Sequence, residues 1–472
     1  MRDVPDFSDR GSGKFHEIVS CFLLQPGLPF AEILSVERIE RVFKKHGNLF
    51  GIGGIYSVAV MLWSFLGQVL RDEKEASCQA AVARIVAFKN QRGEQAPTSD
   101  TGDYCRARSK LSEAALHDLS VEIAAEVEGQ CHPEWLWKGR HTKLVDGFTF
   151  TMPDTAKNQA CYPSPKTQKK GVGLPIARVA AILSLASACV LDLAVGPYKG
   201  KETGETALLR ELLNSFVQGD IAVMDRYYCS FMMIALLRGH GIDVCTRIHH
   251  LRKVDFRRGR RLGHYDHVLH WTRPARPDWM DQETYDKIPE TLELREVRYN
   301  INQPGFRTKS FDVVTTLLDA NEYSKDDIAQ LYGFRWNSEL DIRSIKQSLN
   351  LDHVRCKSPE MVRKELWTTI LAYNLIRTTA AASAALHAVQ PREISFTAVC
   401  QYILATWMLR TCQPAEAYRI ELEARLMLRQ ISECRVANRP GRIEPRVIKR
   451  RQNQYDLMLE PRAVLKARLL GL

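Results

Sequence analysis

Residues 143–248 constrain the fold most strongly, because apolar runs of strand length alternate there with helical segments. The run LVDGFTFTM, after Lys143, alternates apolar and polar residues and predicts a strand. Two more apolar runs lie between Arg178 and Val195. The strands DIAVM and DVCTRI follow, and a helical segment precedes each of them. This order of three strands, helix, strand, helix and strand predicts a mixed α/β sheet.

Two aspartates mark the first and fourth of these strands. Asp146 lies inside a strand, where aspartate is disfavoured, so it calls for a functional reason. Asp225 ends the fourth strand, and ligands bind at strand ends in open sheets. Two plainer interpretations stay open: Asp225 also suits a helix N-cap, and Asp154 is a competing acid in a turn where aspartate is common. If the two strands are neighbours, Asp146 and Asp225 meet.

The segment YGFRWNSELDIRSIK, residues 332–346, places an aromatic, two cations and a carboxylate on one stripe of a predicted α-helix. The spacing of Ser324 and Asp327 predicts a capping box at its start. The plainer alternative for Arg335 and Glu339 is a solvated i,i+4 ion pair. The members of the stripe are Tyr332, Arg335, Glu339 and Lys346.

Asp146, Asp225 and Glu339 would form a set of three carboxylates if the helix packs across the two strands. Such oxygen ligands suit Mg²⁺ or Mn²⁺. Two ions about 4 Å apart clamp the attacking and leaving oxygens of a phosphoryl transfer. Without cations the three charges would repel one another and raise one another's pKa values. The pattern therefore predicts a two-ion phosphoryl-transfer site.

The chain resembles the DDE transposases of the insertion-sequence-four family, bacterial enzymes with an RNase H-like fold that include the transposon-five enzyme. The family signature is Y, two residues, R, three residues, E, six residues, K, and residues 332–346 match it without a gap. The segments DGFTFTMPDT, DRYYCS, PYKGKETGE, VVTTLLD, CKSPEMVRKEL, AYNLIR and NRPGRIEPRVIKRR are also similar to the family. The resemblance covers about residues 100–455.

The resemblance implies that Asp146, Asp225 and Glu339 bind two Mg²⁺ ions, with Mn²⁺ as a substitute. It implies a transposase that binds terminal inverted repeats, cuts double-stranded DNA at the transposon ends and transfers the 3′-OH ends to target DNA. Because two ends must be cut and joined together, we expect a homodimer on DNA.

Further residues are expected to touch DNA. Trp336 offers a flat face for an unstacked base, although apolar packing of its helix explains it too. Some relatives stack a tryptophan of the insertion on a flipped base, and Trp271 and Trp279 are the candidates here. The expected DNA contacts are Tyr332, Arg335, Trp336, Lys346 and Arg226.

The predicted fold class is α/β, with an RNase H-like mixed sheet core, a β-rich insertion, an N-terminal helical domain and a C-terminal helical region. In LELREVRYNI, inside the insertion, a slip of the apolar register suggests a bulge or two strands. The predicted domains are a helical DNA-binding domain at 1–140, the core at 141–248 and 321–350, the insertion at 249–320, and a C-terminal helical region with a basic tail at 351–472.

Charge supports a polyanionic partner. The formal net charge is +11, of which +7 falls in residues 435–472 with ten Lys/Arg and three Asp/Glu. A basic chain of this size favours nucleic acid. We expect the tail to run extended over a surface or over DNA, and a solvated, partly disordered tail is the alternative.

Cysteine spacing and hydropathy point to a cytoplasmic bacterial protein with no membrane contact. Twelve cysteines show no CxxC pair and no zinc spacing, so we expect reduced core residues. The N-terminus is polar, unlike a signal peptide. Residues 50–70 carry no charge and have the length of a membrane span, but their glycines favour a buried helix.

Two other functions fit the sequence. One is a catalytically idle or domesticated relative that only occupies DNA, although all three carboxylates are present. The other is a non-transposing RNase H-like nuclease. Strand cleavage that requires Mg²⁺ separates an enzyme from a binding protein, and joining of the cut strand separates a transposase from a nuclease.

Overall fold

The computed structural model describes residues 33–51, 54–91, 95–165, 173–300, 310–410, 417–436 and 460–471. The chain divides into two compact units. The sheet unit comprises Leu136–Leu185, Leu191–Ile342 and Asn438–Leu472, and the helical unit comprises Met1–Trp135, Ala186–Val190 and Arg343–Ala437.

The described strands are β1 Thr142–Thr151, β2 Ile176–Ser184, β3 Val190–Pro197, β4 Ile221–Met224, β5 Asp243–Arg247, β6 Arg260–Gly263, β7 Asp266–Thr272, β8 Thr291–Asn300 and β9 Ser310–Thr315. They form one nine-stranded sheet in the order β3-β2-β1-β4-β5-β9-β8-β7-β6. β1 pairs antiparallel with β2 and parallel with β4, and β4 pairs parallel with β5. The first five strands have the order of an RNase H-like core, so the predicted fold class and the contact between the first and fourth strands are confirmed.

Strands β6 to β9 extend the core sheet, because β9 pairs with β5. β8 is a single strand in regular register with β7 and β9, so the expected bulge or second strand is wrong. The apolar pattern is broken because Arg295 and Glu296 are buried in the strand and bonded there, Arg295 to Asp266 and Glu296 to Trp271. The register shift lies instead between β6 and β7.

The sheet unit carries short helices. The predicted helix after β3 ends at Glu211, earlier than its sequence pattern indicates, and a 3₁₀ turn follows at Leu213–Ser215. The helix after β4 begins at Phe231, where the Ser230 side chain accepts a hydrogen bond from the amide of Met233. In chain order the helices of this unit are α6 Ala156–Cys161, α7 Glu205–Glu211, α8 Phe231–Gly239, α9 Gln282–Lys287, α10 Lys325–Gly333, α11 Trp336–Arg343 and α15 Arg462–Leu469, where the last residue of α11 falls in the helical unit.

The helical unit is built around its longest helix, Pro359–Leu386, most of which is buried. The Asn374 side chain of that helix bonds the backbone N–H and C=O of Val190 and the hydroxyl of Ser120, which satisfies those buried polar groups. In chain order the helices are α1 Val36–Lys45, α2 Val58–Val69, α3 Cys78–Gln91, α4 Thr101–Ser109, α5 Glu113–Gly129, α12 Pro359–Leu386, α13 Phe396–Arg410 and α14 Ala417–Glu433.

The uncharged segment at residues 50–70 contains the buried helix α2, as predicted. Among the described helices none has the length and apolarity needed to cross a membrane. The cysteines in the described ranges are free thiols. The predicted course of the basic tail concerns residues 437–459, which lie outside the described residues.

Candidate active site

Asp146 and Asp225 lie at one edge of the β1–β4 pair. In the parallel register Val145 pairs with Met224, and each aspartate is the next residue in the chain, Asp146 within β1 and Asp225 directly after β4. β4 ends there, whereas β1 continues in its pairing with β2. Neighbouring strands are about 4.8 Å apart, so the two carboxylates share a small region at the carboxyl end of β4.

The helical segment that carries Glu339 is broken, and the expected single stripe is therefore wrong. The predicted capping box at Ser324 is present, but α10 ends at Gly333 and α11 begins at Trp336. Glycine has a low helix propensity, and the amides of Arg335 and Ser338 bond carbonyls three residues back, which tightens the turn. Arg335 consequently lies at the break, beside the sheet.

Arg335 joins two of the three carboxylates. Its guanidinium donates to Asp146 Oδ2 at 3.4 Å and to Glu339 Oε1 at 2.7 Å. The predicted i,i+4 ion pair thus exists, but Asp146 shares its cation. Asp146 is further held by the Ser338 hydroxyl at 2.6 Å and by the amide of Gly147 at 2.9 Å.

The surroundings of Asp146 raise the pKa of its carboxyl group. Burial raises the pKa of this carboxyl, and the negative charge of Asp225 adds to the increase, whereas Ser338, Arg335 and the Gly147 amide act to lower it. Bound cations would reverse this balance, since positive charge favours carboxylates. Asp225 also caps the 3₁₀ turn that follows it by accepting the Arg226 amide at 2.7 Å, whereas Ser230 caps the α-helix, so the N-cap interpretation holds for the turn only.

Ser338 and Glu205 are two neighbours of the aspartates that sequence reasoning missed. Glu205 begins α7, and its carboxyl group occupies the space above the Cα atom of Gly147. No sequence signal singles out Ser338. For Glu205 the available signal was Gly147, because a glycine inside a strand often marks a close approach by another group. Asp154, the competing acid of the sequence analysis, accepts a hydrogen bond from the side-chain amide of Gln159 at 3.0 Å.

The aromatic and basic residues predicted beside the site differ in exposure. Tyr332 is buried and packs on Phe311, with 5.3 Å between ring centroids. Trp336 is 53% exposed, so the alternative that it packs into the core is wrong. Arg226 is half-buried, with its guanidinium 5.7 Å from the ring centroid of Tyr227.

Three predicted residues lie in other settings. Lys346 belongs to the helical unit, where its ammonium is 3.0 Å from Asp352. Trp271 is 2% exposed, and the Arg252 guanidinium lies 3.6 Å from its ring centroid. Trp279 is half-buried, and the Arg210 guanidinium lies 3.9 Å from its ring centroid. Base stacking by either tryptophan stays a prediction.

The donor set suits a hard divalent cation, because Asp146, Asp225 and Glu339 offer carboxylate oxygens only. Within the described ranges no three acidic, histidine or cysteine side chains stand close enough to hold an ion in this arrangement. Arg335 provides the positive charge between Asp146 and Glu339 instead. The arrangement is therefore a carboxylate site balanced by an arginine.

Comparisons with known proteins agree on the class. The family model described as a transposase DDE domain matches residues 137–375, which include all three carboxylates. The transposase InsG of insertion sequence element IS4 from Escherichia coli K12 is 25% identical over 450 residues, covering 94% of this chain and 97% of that protein. The putative transposase InsZ of the same strain is 24% identical over 139 residues, 29% of this chain and 46% of InsZ.

A solved structure, the cryo-EM piggyBac transposase synaptic complex with hairpin DNA, aligns over 93% of this chain and 89% of that one, with a TM-score of 0.42 and 11% identity. On the family match, the chain belongs to the transposases that carry this DDE domain. It is a DNA transposase, and the expected class and enzyme type are confirmed. Transposases of this kind use divalent metal ions.

Proposed function

We propose that this transposase binds the terminal inverted repeats of its element, cuts the DNA at both ends and transfers the 3′-OH ends to target DNA. The supporting observation is that Asp146 and Asp225 share one strand edge, while Glu339 is tied to Asp146 through Arg335. Cleavage and joining both exchange a phosphodiester oxygen, so one site serves both steps.

Asp146, Asp225 and Glu339 would hold the cations, and two Mg²⁺ ions, or Mn²⁺ in their place, fit their oxygen donors. When bound, such ions activate a water or 3′-hydroxyl and stabilise the leaving oxygen. Ser338 and the Gly147 amide fix Asp146 in place, which preserves the orientation of its carboxylate.

Arg335 has a second role in this proposal, which is to bind a DNA phosphate. Its guanidinium compensates two carboxylates in the metal-free protein. Once cations take over that role, its N–H groups are available to a DNA phosphate, which arginine binds in a bidentate manner. We also assign phosphate contacts to Tyr332, Lys346 and Arg226, as the family signature implies, and a base contact to Trp336, which is exposed.

The partners follow from the reaction. Two transposon ends and a target must meet, so we infer a homodimer on double-stranded DNA. We assign end binding to the N-terminal helical domain, residues 1–140. Arg41 pairs with Glu122, Lys45 with Asp118 and Arg106 with Asp103, but all three cations are more than half exposed, so DNA phosphates can compete for them.

The test is a cleavage and joining assay on DNA that carries the element's ends, with Mg²⁺. Glu339→Gln should abolish cut and joined strands but leave end binding intact, because it removes a ligand charge and keeps the shape. Glu283→Gln is the matched control, since Glu283 forms an exposed i,i+4 pair with Lys287 at 2.7 Å. Its products should match those of the wild type.

Retained cleavage by the Glu339→Gln protein would overturn the assignment of the three carboxylates. Binding without product strands from the wild type would favour the DNA-occupying relative. Cut strands that are never joined to target DNA would favour a nuclease.

A further inference from the structure

Glu205 is a carboxylate beside the proposed cation site that none of the expected roles uses. We propose that Glu205 is a fourth carboxylate of this site and helps Asp146 and Asp225 to hold a divalent cation. This inference rests on the proposed function and adds a residue to it.

The first argument is the close approach of Glu205 to β1. A Cβ atom built on Gly147 would lie 2.3 Å from Glu205 Cδ and 2.6 Å from its Oε2 atom. Such distances are impossible for real atoms, so only glycine beside Asp146 permits this position of the carboxyl group. Any side chain at position 147 would therefore move the Glu205 carboxyl group away from Asp146.

The second argument is the anchor of Glu205. The hydroxyl of Tyr228, which is fully buried, lies 3.5 Å from Glu205 Oε2 and is oriented to donate to it. Tyr228 belongs to the 3₁₀ turn that Asp225 caps. The carboxyl group of Glu205 therefore lies between Gly147, next to the first aspartate, and Tyr228, in the turn that follows the second.

The third argument is charge. Glu205 forms no salt bridge within 4.0 Å in the described part of the chain. Burial raises the pKa of its carboxyl, and the charges of Asp146 and Asp225 raise it further, while Arg178 acts in the opposite direction. A half-buried acid among like charges is unfavourable unless a cation joins it.

Carboxylates outnumber the arginines that act on them at this site. The charge of Arg335 acts on Asp146 and Glu339, and the charge of Arg178 acts on Glu205. Divalent cations would offset the excess of negative charge and would let an anionic phosphodiester approach.

Metal binding tests the inference without relying on activity. Mn²⁺ titration of the full chain, followed by electron paramagnetic resonance, should show about ten-fold weaker binding for Glu205→Gln. Glu205→Asp keeps the charge and should bind more tightly than Glu205→Gln. Glu202→Gln is the control. Glu202 lies three residues before Glu205, is exposed and pairs with Arg210.

Thermal unfolding supplies a second readout. In EDTA, Glu205→Gln should melt above the wild type, because one of four repelling charges is gone. Added Mn²⁺ should then raise its melting temperature by less than that of the wild type. A residue that only packs on Gly147 would leave the Mn²⁺-induced increase unchanged.

The outcomes separate the two proposals. Loss of Mn²⁺ binding in Asp225→Asn, together with wild-type affinity in Glu205→Gln, would overturn the role of Glu205 and leave the proposed function in place. Absence of Mn²⁺ binding in the wild type would overturn both.

Discussion

Two arginines of the sheet unit meet carboxylates in opposite ways. Arg295 on β8 is 0% exposed, and it donates to both oxygens of Asp266, at 2.8 and 2.6 Å, and to the carbonyl of Tyr323. Arg335 is 17% exposed and divides its donors between Asp146 and Glu339. Arg295 pairs with one carboxylate, and Arg335 is shared by two.

This difference distinguishes an ion pair that stabilises the fold from an arginine that belongs to the candidate active site. A buried bidentate pair balances its own charge and leaves no ligand free. Around Arg335 negative charge is in excess, Glu339 is 37% exposed, and Asp225 and Glu205 lie nearby. Excess oxygen ligands that solvent can reach are the condition for binding a cation from solution.

Breaking the ion pair of Arg295 and Asp266 should have the largest effect. Arg295→Met leaves Asp266 buried without a partner, so we expect a loss of about 3–5 kcal/mol in the free energy of unfolding, measured by urea denaturation. Cleavage per folded molecule should stay at the wild-type level. Asp266→Leu added to Arg295→Met should restore most of the stability, and failure to do so would show that the pair itself stabilises the strand.

Weakening the site around Arg335 should have a smaller effect, and it should appear in metal binding rather than in stability. Ser338→Ala removes the 2.6 Å hydrogen bond to Asp146, and we expect about ten-fold weaker Mn²⁺ binding in a titration. Ser324→Ala is the matched control, because that serine caps α10. It should cost about 1 kcal/mol of stability and leave Mn²⁺ affinity unchanged. The reverse pattern would contradict the role of Ser338.

The pH dependence should show the smallest effect. Because the pKa of Asp146 is raised in the fold, the metal-free folded chain holds this proton more tightly than the unfolded chain does. Its stability relative to Asp146→Asn should therefore fall as pH rises from the ordinary aspartate pKa through the raised value, by at most about 1.4 kcal/mol per pH unit. Melting curves in EDTA measure this, and an unchanged difference would contradict it.

The sequence predicted the parts of the site that depend on local pattern. Asp146 inside a strand and Asp225 at a strand end were predictable, because alternation and propensity mark both positions. The break at Gly333 and the position of Arg335 were not, since a helical stripe assumes an unbroken helix. Ser338 and Glu205 depend on how α11 and α7 pack on β1, and periodicity does not contain that information. Their roles in catalysis stay predictions.

The pairing of β9 with β5 covers an edge of the core sheet, and we expect it to limit aggregation. Without residues 249–320, β5 would present a row of unpaired amides and carbonyls, and such edges recruit strands from other molecules. The sheet ends instead at β6, which has four residues and carries the exposed Arg260 and Arg261. A short, positively charged last strand repels its own copies. A shortened variant that lacks this segment should therefore aggregate, whatever the condition of its active site.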